Sequence, residues 1–252
     1  MNDDQLERYS RHVLLPQFDY AGQEALLNAQ VLVLGLGGLG SSAALYLASS
    51  GVGHLHLLDP DTLELSNLQR QVIHREQNVG MDKVDSAKQS LLALNSTIKV
   101  STYNACLPEA ELGALMAKMH VVVDCTDNSK SRCLHNRLCL QVNVPLVSAA
   151  AIRFEGQMLL VDKRDTDTPC YQCIYGDHNN QEQSCSTSGI LAPVVGLMGV
   201  HQALECIKLL SGVGEKSTGI LFNFDGLTGR WTNFNVKKNP MCPVCGNQQV
   251  HA

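Results

Sequence analysis

From about Gln30 onward, short apolar runs alternate with segments of helical spacing. VLVLG (31–35) has the composition of a buried strand that runs into a glycine turn. Small and apolar residues at helical spacing over 41–50 predict a helix, stopped by Gly51 and Gly53. HLHLLD (54–59) predicts a second strand, 83–94 a helix, IKVSTY (98–103) a strand and 109–118 a helix. VVVDCTDN (121–128) reads as a strand entering a helix that extends to about 141, and PLVSAAA (145–151) as another strand. Nearly all-apolar strands separated by helices describe a parallel sheet covered on both faces. Beyond Phe154 the pattern changes. GQMLLVD (156–162), GILFNFD (219–225) and RWTNFNV (230–236) predict antiparallel strands, with a long helix near 191–211 between them. Residues 163–189 are polar and turn-rich.

The expected fold is therefore α/β: a Rossmann-like, mostly parallel sheet with helices on both faces, continuing into an antiparallel C-terminal part. One domain is expected, with 1–29 as an N-terminal helical arm, 30–153 as the Rossmann-like half and 154–252 as the second half. Its 252 residues, 44% of them hydrophobic, suffice for one large core. Nineteen Lys and Arg against 24 Asp and Glu leave a net charge of −5, with no basic excess for nucleic acid. The polar, acidic start MNDDQLERYSRHVLL is unlike a secretory signal. Pro193, His201, Gln202, Glu205 and Lys208 interrupt the apolar stretch at 190–210. A bilayer span of about 20 apolar residues would not carry them, so this stretch is expected to be a buried amphipathic helix. A cytoplasmic protein without membrane or nucleic-acid partners is expected.

The ten cysteines do not read as a disulfide framework. Cys106, Cys125, Cys133, Cys139 and Cys206 fall in apolar or helical stretches, where cysteine serves as a small hydrophobe. Cys170-x-x-Cys173 and Cys242-x-x-Cys245 have the spacing of a metal site. The alternative is a redox C-x-x-C, disfavoured because neither pair is expected to open a helix after a strand.

Gly35-Leu36-Gly37-Gly38-Leu39-Gly40 fits G-x-G-x-x-G between a predicted strand and helix, and Asp59 follows at the end of the next strand. Such glycines let backbone amides approach phosphate, and such an acid accepts from ribose hydroxyls. A nicotinamide-dependent oxidoreductase shares this unit. Ser66-Asn67-Leu68-Gln69-Arg70-Gln71 and Lys83 add a collection of donors and cations that suits a triphosphate better. Singly, Arg70 or Lys83 could be a solvated surface charge. Asp124-Cys125-Thr126-Asp127-Asn128 ends a strand at the edge that faces the ligand crevice. Asp127 suits a magnesium ion bridging phosphates, the alternative being that Asp127 or Asn128 merely caps the next helix.

GLGGLG, SNLQRQ, Lys83, DCTDN and the two C-x-x-C pairs together resemble the ubiquitin-activating-enzyme-like adenylyltransferases, the HesA/MoeB/ThiF family. The likeness runs from RYSR (8–11) to CPVC (242–245). It implies ATP, Mg2+ and a structural Zn2+, with 30–153 binding ATP and 154–252 binding a small ubiquitin-like sulfur carrier. The carrier's C-terminal Gly-Gly carboxylate would attack the α-phosphorus, giving an acyl adenylate and pyrophosphate. By resemblance, Gly38 lies against the nucleotide and Asp59 binds the ribose. Asn67 and Arg70 contact the phosphates, Lys83 adds charge there, Asp127 positions the metal, and Ser66, Leu68, Gln69 and Asn128 also line the ATP site. Arg11 matches an arginine that family homodimers lend to the neighbouring subunit's ATP. Cys170, Cys173, Cys242 and Cys245 match the family's zinc ligands. Cys185 aligns with a cysteine that joins sulfur transfer in ThiF-type members; a loop cysteine without a role is the alternative. KVDSA (83–87) and PLVSAAAIRFEGQ (145–157) lean toward the MoeB-type branch, which serves a MoaD-type carrier in molybdopterin (molybdenum cofactor) biosynthesis. Residues 44–47 and 193–212 lean toward the ThiF-type branch, with a ThiS-type carrier in thiamine biosynthesis. Sulfur would come from a separate donor such as a cysteine desulfurase or rhodanese. A non-catalytic adaptor for ubiquitin-like proteins would be expected to lack Arg70, Lys83 or Asp127, and all three are present.

Overall fold

The structure, a computed structural model, describes residues 1–176 and 188–246. Its strands are β1 (Gln30–Leu34), β2 (His54–Leu58), β3 (Lys99–Tyr103), β4 (Val121–Asp124), β5 (Leu146–Ile152), β6 (Glu155–Val161), β7 (Ile220–Asp225) and β8 (Arg230–Asn235). They form one sheet in the order β3-β2-β1-β4-β5-β6-β7-β8. Pairing is parallel from β3 to β5 and antiparallel from β5 to β8. The order reverses at β1, which pairs with β2 on one side and β4 on the other. A crevice beyond the carboxyl ends of β1, β2 and β4 follows from that reversal.

Among the described residues the helices are α1 (Asp3–Val13), α2 (Asp19–Leu27), α3 (Gly38–Ser49), α4 (Lys83–Leu94), α5 (Glu109–Met116), α6 (Ser129–Val142), α7 (Tyr171–Tyr175) and α8 (Ala192–Ser211). Alternate residues of the central strands enter two cores. Val31, Val33, Leu55 and Leu57 pack with α3, α4 and α8, while Leu32, Leu34 and Val122 pack with α5 and α6. Burial on both faces is why these strands read as unbroken apolar runs. The helix α8 has the length and composition to cross a membrane, yet its Val194, Val195, Met198, Ala203 and Cys206 are core residues against the sheet.

Helices α3 and α8 lie very close. A Cβ on Gly199 would stand 2.3 Å from the Leu39 carbonyl oxygen, and one on Gly38 would stand 2.8 Å from Val195 Cγ1. The arm is tied down from α1: Tyr9 is buried and its hydroxyl accepts from Asn95 Nδ2 at 2.8 Å.

Three local expectations need correction. The helix expected at 41–50 begins at Gly38, because the last glycines of the motif form its first turn. Cys106 sits in the exposed loop after β3 rather than in an apolar stretch; Cys125, Cys139 and Cys206 are buried. The first C-x-x-C does open a helix, with Cys170 as the N-cap of α7. It follows a loop rather than a strand directly.

Candidate active site

The glycine loop leaves β1 with Gly35 at φ +87, a conformation that an L side chain rarely adopts. A Cβ on Gly40 would stand 1.9 Å from the Gly35 carbonyl oxygen, so the turn closes only on glycine. Gly37 is the N-cap of α3, and the space a Cβ would take there is bounded only by Gln71 Nε2 at 3.9 Å. The first-turn amides of such a helix have no intrahelical acceptor and suit an anion. Gly38 also has a packing role: its missing side chain makes room for Val195 of α8, and its backbone stays at the loop.

Asp59 braces this loop. It is buried, with Oδ2 accepting from the Leu36 amide at 2.6 Å and Oδ1 from the Asp61 amide at 2.9 Å. Burial raises its pKa against the opposing pull of those amides and of Lys83. A ribose hydroxyl would share oxygens already engaged by backbone.

Residues 65–71 form a 3-10 turn (Leu65–Asn67) and the bend after it. Asn67 Oδ1 accepts from the Glu64 amide at 3.1 Å, and Arg70 Nη1 donates to the Ser66 carbonyl at 3.2 Å. Ser66 Oγ donates to Glu64 Oε2 at 3.2 Å, and the Leu68 amide donates to the Leu65 carbonyl; Gln69 is exposed. Lys83 opens α4, buried at 6% exposure, with Nζ 2.7 Å from Asp61 Oδ2.

Two further side chains stand at this edge, Gln71 and His74. Gln71 is buried beside Gly37, and its Oε1 has no hydrogen-bond partner. His74 bridges α4 and the glycine loop, Nδ1 lying 2.9 Å from Ser86 Oγ and Nε2 3.3 Å from the Leu36 carbonyl oxygen. Since a carbonyl only accepts, Nε2 carries the proton of the neutral ring. Burial, aided by Lys83, holds the His74 pKa down to about 4, against the Leu36 hydrogen bond. Gln71 was visible as the last letter of SNLQRQ; nothing in the pattern marked His74.

DCTDN is mostly scaffold. Asp124 is fully buried and accepts from Thr126 N at 3.0 Å, Thr126 Oγ1 at 2.7 Å and His135 Nδ1 at 3.1 Å. Burial alone would raise its pKa, but His135, Arg132 and Thr126 outweigh burial and hold it below the usual carboxylate range. Arg132 Nη2 donates to the Thr126 carbonyl at 2.7 Å. Asn128 is the N-cap of α6, accepting from the Ser131 amide at 2.8 Å, as the capping alternative foresaw. Asp127 is exposed at the tip.

Contacts thus join β1, β2, β4 and the 65–83 segment at one edge. Arg11 is not among them. It is exposed near the end of α1, while Arg8 of that helix donates to the Leu94 carbonyl at the far end of α4 from Lys83. The 12 residues of α4 span about 18 Å.

The four cysteines of the two C-x-x-C pairs converge, all Sγ atoms lying within 4.8 Å of one another. Individual Sγ separations are 3.9 Å (Cys170–Cys173), 3.7 Å (Cys170–Cys242) and 3.3 Å (Cys173–Cys245). A zinc tetrahedron with bonds of about 2.3 Å has edges of about 3.8 Å, so the donor set fits that ion. Burial pushes the Cys170 thiol up to about 11. Convergence of both pairs favours a metal over a redox pair. Cys185 lies outside the described residues.

The profile of the ThiF family matches residues 9–244. The chain is 44% identical over 246 residues to the molybdopterin-synthase adenylyltransferase of Escherichia coli (strain K12), covering 98% of each chain. It is 43% identical over 250 residues to the sulfur carrier protein ThiS adenylyltransferase of the same organism, covering 99% of each. Among solved structures, E. coli MccB with MccA-N7isoASN is similar at TM-score 0.83 and 27% identity, over 98% of this chain and 76% of that one. Matched along nearly its whole length by profile and by relatives, the chain belongs to the ThiF family.

Proposed function

We propose that this protein is an adenylyltransferase that uses ATP to activate the C-terminal Gly-Gly carboxylate of a MoaD-type sulfur carrier, for molybdenum cofactor biosynthesis. One arrangement carries the reading: at the carboxyl edge where the sheet order reverses, the glycine loop stands against Gln71 of the SNLQRQ turn and the Cys125 backbone of the DCTDN turn, with His74 on the Leu36 carbonyl and Lys83 paired to Asp61. The relative named molybdopterin-synthase adenylyltransferase supports the choice of carrier. A ThiS-type carrier in thiamine biosynthesis is the second reading, favoured by the nearly equal identity to a ThiS adenylyltransferase.

The chemistry asks little of acid–base groups. A C-terminal carboxylate is ionised at neutral pH and is already a nucleophile. What the protein supplies is alignment of that carboxylate with the α-phosphorus and compensation of phosphate charge. The amides of the first turn of α3 and the side chains of Asn67, Arg70 and Lys83 serve the phosphates. Gln71 lies buried beside Gly37, with its donor Nε2 toward the loop. As the oxygen–phosphorus bond to the carrier forms, that to pyrophosphate breaks. Asp127, with Asn128 beside it, would hold Mg2+, which when bound offsets charge on the phosphate oxygens. Zn2+ held by Cys170, Cys173, Cys242 and Cys245 would be structural, since four thiolates leave no open position. A homodimer belongs to the same reading: Arg11, distant from the site of its own chain, would serve its neighbour's. A separate sulfur donor completes the scheme.

Pyrophosphate exchange into ATP tests the reading. Exchange should require a Gly-Gly-tailed carrier and run faster with a MoaD-type than with a ThiS-type carrier. The reverse preference would establish the second reading. Nicotinamide binding without exchange would replace both with an oxidoreductase.

A further inference from the structure

The turn that presents Asp127 is held by side chains from both faces of the sheet. From the α8 side, Gln202 Nε2 donates to the Asp124 carbonyl at 2.8 Å and to the Val147 carbonyl at 3.1 Å, locking the ends of β4 and β5 together. From the α6 side, His135 Nδ1 reaches Asp124 Oδ2, and Arg132 takes the Thr126 carbonyl. Asp124 Oδ1 is occupied by Thr126, and Asn128 by the start of α6. Every polar side chain of the turn but that of Asp127 is committed inward, and Asp127 is exposed.

His135 is the part of this arrangement with no other evident duty. It is 7% exposed with Nδ1 turned to Asp124, whose carboxylate is wholly inaccessible, so their bond lies behind the turn. Take the imidazole away and Asp124 Oδ2 becomes a buried anionic oxygen without its donor. The carboxylate would then turn or admit water, and Thr126, one residue before Asp127, would keep Arg132 on its carbonyl but lose its hold on Asp124. Groups behind a ligand that fix its direction change metal affinity by about ten- to hundred-fold when removed.

We infer that His135 is a positioning residue, which sets the Asp127 carboxylate for a divalent cation by holding Asp124 against Thr126. The inference rests on the metal role of Asp127 given above. Mn2+ is the probe, its affinity measured by electron paramagnetic resonance on the full chain with a non-hydrolysable ATP analogue. His135→Ala should weaken Mn2+ binding about ten- to hundred-fold while metal-free binding of the analogue stays within about threefold. His135→Asn, whose amide can donate from near the Nδ1 position, should restore most of the affinity. A purely structural histidine would lower the melting temperature in both variants without this recovery. Asp127→Ala separates the two levels of the argument. If it binds Mn2+ as the parent does, the metal role of Asp127 falls and the inference with it. If Asp127→Ala loses Mn2+ but His135→Ala does not, or His135→Asn fails to recover, only the inference falls.

Discussion

Lys83 Nζ lies 2.7 Å from Asp61 Oδ2, with the lysine side chain 8% exposed and the aspartate 64% exposed. The cation is thus held in a recess by a partner in water, which screens the pair and leaves it weak. A phosphate entering the crevice can take the lysine over at little cost. Lys83→Ala should lower pyrophosphate exchange about hundredfold, the usual effect of losing one donor to developing charge. Asp61→Asn should change it by no more than about fivefold, the ceiling for an exposed ion pair. Steady-state kinetics with varied ATP checks both; equal losses in the two variants would make Asp61 part of the machinery.

Zinc content should track the cysteine cluster. Cys170→Ser is expected to release about one zinc per subunit and to loosen the C-terminal region, seen by metal analysis and limited proteolysis. Because burial raises the Cys170 pKa to about 11, ligation must displace protons. Affinity should therefore fall as pH falls. Retention of zinc by Cys170→Ser would remove the cluster from the structure's support.

His74 makes stability sensitive to acid. Its pKa is held down to about 4, so the folded protein keeps it neutral while an unfolded chain protonates it below about 6.5. The stabilisation is complete above pH 6.5 and is lost as pH falls toward 4. At pH 5 the loss is up to about 2 kcal/mol. His56, also buried and near 4, has the same sign. Melting curves at pH 7 and pH 5 should show a smaller difference for His74→Gln than for the parent. The variant's glycine loop would also bear watching, since Nε2 holds the Leu36 carbonyl.

Gly199→Ala should be destabilising by about 1–3 kcal/mol, because the new methyl meets the rigid Leu39 backbone of α3. The displaced helix begins at the glycine loop, so ATP affinity should fall along with the melting temperature. A variant that melts lower but binds ATP normally would uncouple the α3–α8 contact from the site.

Much of the fold follows from local pattern. Strands buried on both faces, such as β1 and β4, must be apolar throughout, and helices between them must repeat at helical spacing; both properties are written along the chain. Helix α4 begins at Lys83 and ends at Leu94, as its spacing predicts. GLGGLG, SNLQRQ, DCTDN and the C-x-x-C pairs announce their chemistry because turns and ligand sets demand particular residues at fixed separations. What spacing could not say is which groups face the ligand and which brace those that do. Gly38 yields its space to Val195, 157 positions later in the chain than itself. Asp124, Asn128 and Asp59 also accept from backbone amides, which spacing does not reveal. His74, His135 and Gln202 carry no local signal at all. Their roles arise from contacts between segments that only packing brings together, and burial then fixes both their partners and their protonation.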